Sequence, residues 1–181
     1  MLVPFSLVLS LLAAGPTPSR DACAFMLPKD LRLLVARQLP GYALPKQSDN
    51  LPADIQYQRK QGGNGCLGVA VGDFDGDHRK DRAFLVTSKT DVWLVVVFNR
   101  PEGWQLDKVW QAGDADYRMR LFVDVEPPGK YDDIGSSDTL EPGQVDTFTS
   151  KSEIVVTGAT ESSAIAFWKG PKGWVHLWLS D

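Results

Sequence analysis

Apolar residues follow two patterns over most of the chain beyond residue 66: alternation with polar residues, and short uninterrupted runs. Both patterns are typical of β-strands. Strands are therefore predicted at 67–71, 82–87, 92–98, 104–110, 117–125, 153–157, 163–168 and 174–179. The run 92–98 contains no polar residue, which indicates a strand buried on both faces. Segments rich in Ser, Asn, Pro and Gly separate the runs, so antiparallel meanders are expected.

The segment before residue 67 has a different pattern. Leu27, Leu31 and Leu34 recur at helical spacing, and Pro40 follows, which predicts one short helix over 27–39. The segment 41–65 is polar and rich in Pro, Gly and Asn. It is predicted to be a loop with one short strand near 55–58.

Two parts of the predicted meanders are similar to each other. Aligned without a gap, 82–104 and 152–174 are identical at six positions, including Trp104 and Trp174 after a shared Pro-x-Gly turn. This predicts a three-stranded meander that occurs twice, although unrelated meanders also share turn residues. The predicted fold is a single β-rich domain over 20–181. It consists of antiparallel meanders in a propeller-like or sandwich-like arrangement, with one short N-terminal α-helix.

The first residues indicate export. The run 2–14 is apolar and uncharged, and it is too short to cross a bilayer. Small residues follow it, as expected for a signal peptide over 1–19 with a cleavage site between about 14 and 22. The mature protein is then periplasmic or secreted and has no membrane span. A buried N-terminal helix or a retained anchor is the alternative.

The chain contains two cysteines, Cys23 and Cys66. In an oxidising compartment, two cysteines of an exported protein are expected to pair. The bridge would close a loop of about 44 residues and contribute roughly 4 kcal/mol. If the protein is not exported, two free buried thiols are the alternative.

An acidic segment follows the first predicted strand. Its aspartates occupy positions 1, 3, 5 and 9 of nine residues: Asp73, Asp75, Asp77 and Asp81. Alternate carboxylates in a tight loop can point at one centre, and the carbonyl of Arg79 can add another oxygen. Ca²⁺ takes six to eight oxygen ligands, whereas Mg²⁺ keeps several waters. Without a cation these carboxylates would repel one another, so the spacing predicts a Ca²⁺ site; a solvated acidic turn is the alternative.

The stretch 72–86 resembles the Ca²⁺ loops of FG-GAP/VCBS-type repeats, which are known from β-propeller blades. An EF-hand does not fit, because His78 and Phe84 stand where that loop requires Gly and Glu. His78 also departs from the glycine usual in the FG-GAP loop, but His tolerates a left-handed backbone. The resemblance implies that Ca²⁺ is held by Asp73, Asp75, Asp77, Asp81 and the carbonyl of Arg79.

Charge and loop length bear on partners. The net charge is −4 and no cluster of Lys or Arg occurs, which argues against nucleic acid and favours a basic partner. The segment 126–150 has few large apolar residues and is predicted to be a long binding loop; a mobile insertion without function is the alternative. The residues expected to contact a protein partner, such as a basic cell-wall hydrolase of the envelope, are Tyr131, Asp132, Asp133 and Ile134.

Catalytic motifs are lacking in the sequence. His78 lies in the acidic loop, His176 lies in a predicted strand, and no nucleophile elbow, His-x-x-x-His pair or phosphate loop is present. The predicted function is therefore that of an exported, non-enzymatic Ca²⁺-binding protein, an inhibitor or immunity-type protein of the periplasm. The alternatives are a Ca²⁺-stabilised adhesion or carbohydrate-binding module, and a hydrolase that uses loop carboxylates.

Overall fold

The computed structural model describes residues 21–135 and 139–180, so the predicted signal peptide over 1–19 lies outside the described residues. The helices are α1 (Ala22–Met26), α2 (Lys29–Gln38) and α3 (Pro52–Lys60), with 3-10 helices at Gln47–Asp49 and Ala115–Arg120. The strands are β1 (Val69–Gly72), β2 (Asp81–Thr87), β3 (Asp91–Arg100), β4 (Gly103–Asp114), β5 (Leu121–Glu126), β6 (Gly129–Asp132), β7 (Thr147–Ser150), β8 (Ile154–Ala159), β9 (Ala164–Gly170) and β10 (Gly173–Ser180).

Two antiparallel four-stranded sheets contain most of the strands. Their orders are β1-β2-β3-β4 and β10-β9-β8-β5, and β6 pairs with β7 in a separate hairpin. The N–H of Val123 donates to the carbonyl of Leu67 (2.7 Å), so the chain just before β1 lies beside β5. The prediction of a mainly β, antiparallel fold is confirmed.

The core is formed on both sides of the first sheet. Leu94, Val96 and Phe98 of β3 share one apolar cluster with Ile165 and Phe167 of the second sheet. The alternate residues of β3 point the other way, because successive side chains of a strand face opposite sides. Val95 and Val97 accordingly pack in a second cluster with residues of α1 and α2. The strand predicted to be buried on both faces is therefore confirmed.

The β6–β7 hairpin covers the remaining face of the second sheet. Phe148 of β7 packs there with Ile154, Val156 and Leu177. The segment 126–150 was predicted to be a loop, and this prediction is wrong for the two strands. Both strands have four residues and are mostly polar, which leaves little apolar pattern to detect.

The prediction of a single α-helix is also wrong, because the described chain contains three. Helix α3 replaces the loop and short strand expected near 55–58. Its signals are Pro52 in the first turn, Asp54 close behind, and Arg59 in the last turn. Because α3 buries none of its residues, it lacks the apolar stripe that reveals most helices. No described helix has the length and apolar character needed to cross a membrane.

The two aligned meanders share strand order but not every pairing. Arg100 pairs with Gly103 and Gly170 pairs with Gly173, so the second hairpins have the same register. In the first hairpins the register differs: Leu85 pairs with Leu94, whereas Val155 pairs with Phe167 instead of Ala164.

The register of the first hairpin thus differs by three positions between the two meanders. Because side chains alternate along a strand, the two middle strands turn opposite sets of aligned residues towards the shared core. Trp104 consequently packs with the helices, whereas Trp174 packs between the sheets. These two tryptophans, which align in sequence, therefore lie in different parts of the core, and the internal repeat stays a prediction.

Candidate metal centre

The acidic loop connects β1 to β2 and is closed by its own first aspartate. The carboxylate of Asp73 accepts the N–H groups of Gly76 (2.7 Å), Asp77 (3.1 Å) and His78 (2.9 Å). Gly76 and His78 both have left-handed backbones, with φ of 79° and 68°. This confirms that His78 takes the conformation for which glycine is usual.

Three of the predicted ligands come together. Carboxylate oxygens of Asp73, Asp75 and Asp81 all lie within 4.8 Å of one another. Asp77 lies beside this group, and its Oδ1 accepts the N–H of the exposed Arg79 (2.9 Å). The structure therefore gathers three of the four predicted carboxylates, with the fourth adjacent.

Asp81 is fully buried and also holds the loop against the sheet. Its Oδ2 accepts the N–H of Phe74 (2.9 Å), and its Oδ1 accepts the N–H of Asn99 on β3 (2.9 Å). Burial raises the pKa of Asp81 to about 6, although these two hydrogen bonds act in the opposite direction. Because burial disfavours the charged form of Asp81, neutralising the negative charge of this carboxylate is favourable.

Asp75 has an oxygen with an unusual environment. Its Oδ2 is buried and accepts no hydrogen bond within the described part of the chain. Arg100 Nη1 lies 2.6 Å from this oxygen, but as an ion pair that lacks hydrogen-bond alignment. Burial raises the pKa of Asp75 as well. A buried anionic oxygen without a hydrogen bond is a suitable ligand for a cation.

Two charged residues near the loop could not be found from the sequence. Arg100, at the end of β3, lies 2.6 Å from Asp75 and 3.6 Å from Asp77. Glu153, just before β8, accepts the N–H of Asp73 (2.5 Å) and pairs with Lys80 (3.1 Å). Both are far from the loop in sequence, so no local pattern could indicate them.

The residues present fit Ca²⁺ by chemistry. The gathered side-chain donors are carboxylate oxygens, the class that Ca²⁺ prefers. Softer metals are bound mainly by Cys or His. The side chain of His78 is 95% exposed, and its Nδ1 lies 3.6 Å from an Asp73 carboxylate oxygen. The loop is therefore a candidate site for a hard divalent cation.

Cys23 and Cys66 form the predicted disulfide, with an S–S distance of 2.04 Å. Both are buried in the cluster between the helices and the first sheet. The bond ties α1 to the chain that leads into β1 and the acidic loop.

The four residues predicted to contact a partner are more constrained than expected. Asp132 pairs with Lys130 (2.7 Å). Asp133 accepts the N–H of Trp178 (2.6 Å) and the amide of Gln144 (3.1 Å).

The two apolar members of this predicted surface differ from each other. Tyr131 donates its hydroxyl to Pro127 (2.5 Å) and packs on Phe148, whereas Ile134 is 54% exposed. The carboxylates of Asp132 and Asp133 are therefore already paired within the protein. Its role in partner binding stays a prediction.

Comparison of the chain with known protein families, with curated proteins and with solved structures found no match.

Proposed function

We propose that this chain is an exported, non-catalytic Ca²⁺-binding protein in which the bound ion stabilises the junction between the two sheets. The convergence of Asp73, Asp75 and Asp81 carries the proposal, together with a buried Asp75 oxygen that contacts the Arg100 guanidinium at 2.6 Å but accepts no hydrogen bond from the described residues. A divalent cation would neutralise charges that burial otherwise disfavours.

The position of the loop explains why an ion there would stabilise more than one strand pair. The loop lies between β1 and β2, and Asp81 contacts β3 through Asn99. Glu153 and Ser152 reach it from the chain before β8, where Ser152 Oγ donates to the carbonyl of Phe74 (3.3 Å). Ordering the loop therefore orders contacts to both sheets.

Arg100 provides the competing way to neutralise the loop. Its guanidinium lies against Asp75 and Asp77 and also covers the ring of Phe98 (5.1 Å). If Arg100 alone balanced the carboxylates, removal of divalent ions would leave stability unchanged. The effect of a chelator therefore separates the two explanations.

Export is supported by the disulfide, since such bonds persist in oxidising compartments. A sandwich-like arrangement is favoured over a propeller-like one because both sheets contribute to one shared core cluster. A role as an inhibitor of a basic envelope protein is consistent with the net charge of −4 and the exposed Ile134. The carbohydrate-binding alternative gains little, because all six tryptophans are at least partly buried.

The direct test is calorimetric titration of chelator-treated protein with CaCl₂. We expect one site per chain, with Mg²⁺ binding much more weakly. Asp75→Asn, which keeps the shape and removes the charge, should abolish the heat of binding. Asp116→Asn, a change of an exposed aspartate in the second 3-10 helix, is the matched control and should bind normally. Absence of Ca²⁺ binding by the unaltered protein would overturn the proposal.

A further inference from the structure

A small pocket lies between β4, β9, β10 and the turn at 141–144. Its volume is about 190 Å³. Its walls include Trp110, Phe167, Trp174, His176, Glu141 and Pro142. No residue of the acidic loop lines it, so it is separate from the candidate metal centre.

The turn that closes the pocket is rigidly attached. Gln144 N–H donates to the carbonyl of Glu141 (2.9 Å), and Gly143 has φ of 85°, as in a type II turn with Pro142 at its second position. The turn is fastened to β10 through both backbone groups of His176. Its N–H donates to Gly143 and its carbonyl accepts from Val145, each at 2.9 Å. The pocket is therefore preformed, which favours ligand binding.

Aromatic rings form the apolar walls. Trp110 and Phe167 have ring centroids 5.6 Å apart and planes inclined by 48°. The indole N–H of Trp174 already donates to Asp107 (2.9 Å). This ring therefore contributes apolar surface to the pocket, with its donor already used.

The charge of the lining is negative. Among the residues that line the pocket, Glu141 is the one that carries a carboxylate, and its side chain is exposed. His176 is buried and stacks on Phe167 with centroids 5.5 Å apart. Burial lowers the pKa of His176, although the negative charges of Glu141 and Asp133 oppose this, so the ring is neutral near pH 7.

We propose that this pocket binds a single alkylammonium group. Aromatic surfaces attract cations, and a nearby carboxylate adds to that attraction. Pockets for whole drug-sized ligands are usually about 300–1,000 Å³, so the volume here suits a head group or one side chain. A sugar is a poorer fit, because Glu141 and His176 are the polar side chains of the lining and the Trp174 donor is engaged. The group could belong to a free ammonium compound or to a lysine side chain of a protein partner.

The test compares choline with 3,3-dimethyl-1-butanol, its uncharged isostere, by NMR of the tryptophan indole N–H groups. We expect choline to shift the Trp110 and Trp174 signals and to bind at least about tenfold more tightly than the alcohol. Glu141→Gln should weaken choline binding by about fivefold. Glu102→Gln, which alters an exposed glutamate of the β3–β4 turn, is the matched control and should leave it unchanged.

Two further arms identify the source of the group. Tighter binding of Nα-acetyl-lysine amide than of choline would support a protein partner, and the reverse would support a small ammonium compound. Equal binding of choline and its isostere, no effect of Glu141→Gln in a variant with a native NMR spectrum, or tighter binding of N-acetylglucosamine would overturn the proposal. The Asp75→Asn variant should bind choline normally, so this result is independent of the Ca²⁺ site.

Discussion

Removal of the Cys23–Cys66 disulfide is expected to destabilise the protein strongly. The bond joins residues 43 apart, and the closed loop contains α1, α2 and α3. In the chain-entropy treatment, opening a loop of this length gives the unfolded chain more conformational entropy, which stabilises the unfolded state by about 4 kcal/mol at 25 °C. The free energy of unfolding of the double variant Cys23→Ala/Cys66→Ala should fall by this amount.

Packing adds to the loss, because both sulfur atoms lie in the cluster formed with Leu31, Val69 and Phe84. Truncating each buried side chain costs about 0.5–1.5 kcal/mol more. For a domain of this size, 1 kcal/mol corresponds to about 2–4 °C in melting temperature. The total loss of about 5–7 kcal/mol is therefore expected to lower the melting temperature of the double variant by about 10–28 °C.

Urea denaturation and calorimetry, both in excess Ca²⁺, measure the effect. A reductant should lower the stability of the unaltered protein and leave the double variant unchanged, which is the internal control. Hydrogen exchange should show the greatest loss of protection in α1, α2 and the face of β3 that they cover. A double variant within about 1 kcal/mol of the unaltered protein would refute the loop-closure argument.

Three other predictions concern the metal, a glycine and a histidine. Ca²⁺ at 100 times its dissociation constant should raise the free energy of unfolding by about 2.7 kcal/mol. The melting temperature should therefore rise with Ca²⁺ and fall again with chelator, and the Asp75→Ala/Asp77→Ala variant should show neither change. Identical melting curves with and without chelator would contradict this. Gly158→Ala should cost about 1–3 kcal/mol in urea denaturation, because its methyl group would overlap the Ser163 carbonyl. Gly129→Ala, where the methyl group has ordinary contacts, should be nearly neutral. Because burial lowers the pKa of His176 in the folded state, this residue should make stability fall as pH drops below its ordinary value of 6.5, whereas the raised pKa of Asp81, about 6, acts in the opposite direction. His176→Gln should remove that part of the pH dependence, and an unaltered profile would show that another group causes it.

Most strands of both large sheets were predictable because apolar residues alternate or form uninterrupted runs along them. The predicted strand 117–125 is wrong over 117–120, because Ala115–Arg120 forms a 3-10 helix and β5 begins at Leu121. In β3 the uninterrupted apolar run correctly indicated two covered faces. The disulfide followed from the number of cysteines. The spacing of the aspartates correctly predicted that the carboxylates of Asp73, Asp75 and Asp81 come together, because all three residues belong to one short loop.

Features that depend on contacts distant in sequence could not be predicted. Arg100 reaches the acidic loop from β3 and Glu153 from the chain just before β8, and neither lies in a recognisable motif. The register of the first hairpin in each meander depends on turn length. The turn between β8 and β9 includes Glu161 in a left-handed conformation, a detail that residue identity does not reveal.

The attachment of residues 133–134 and 143–145 to β10 has a consequence for self-association. β10 is the outermost strand of the second sheet, and the exposed backbone of an edge strand is a template on which another chain can add a strand. At His176 and Trp178, however, the outward N–H and carbonyl groups already bond to Gly143, Val145, Asp133 and Ile134. This stretch of the edge is closed to strand addition, so the residues that flank β6 and β7 limit growth of the second sheet at β10.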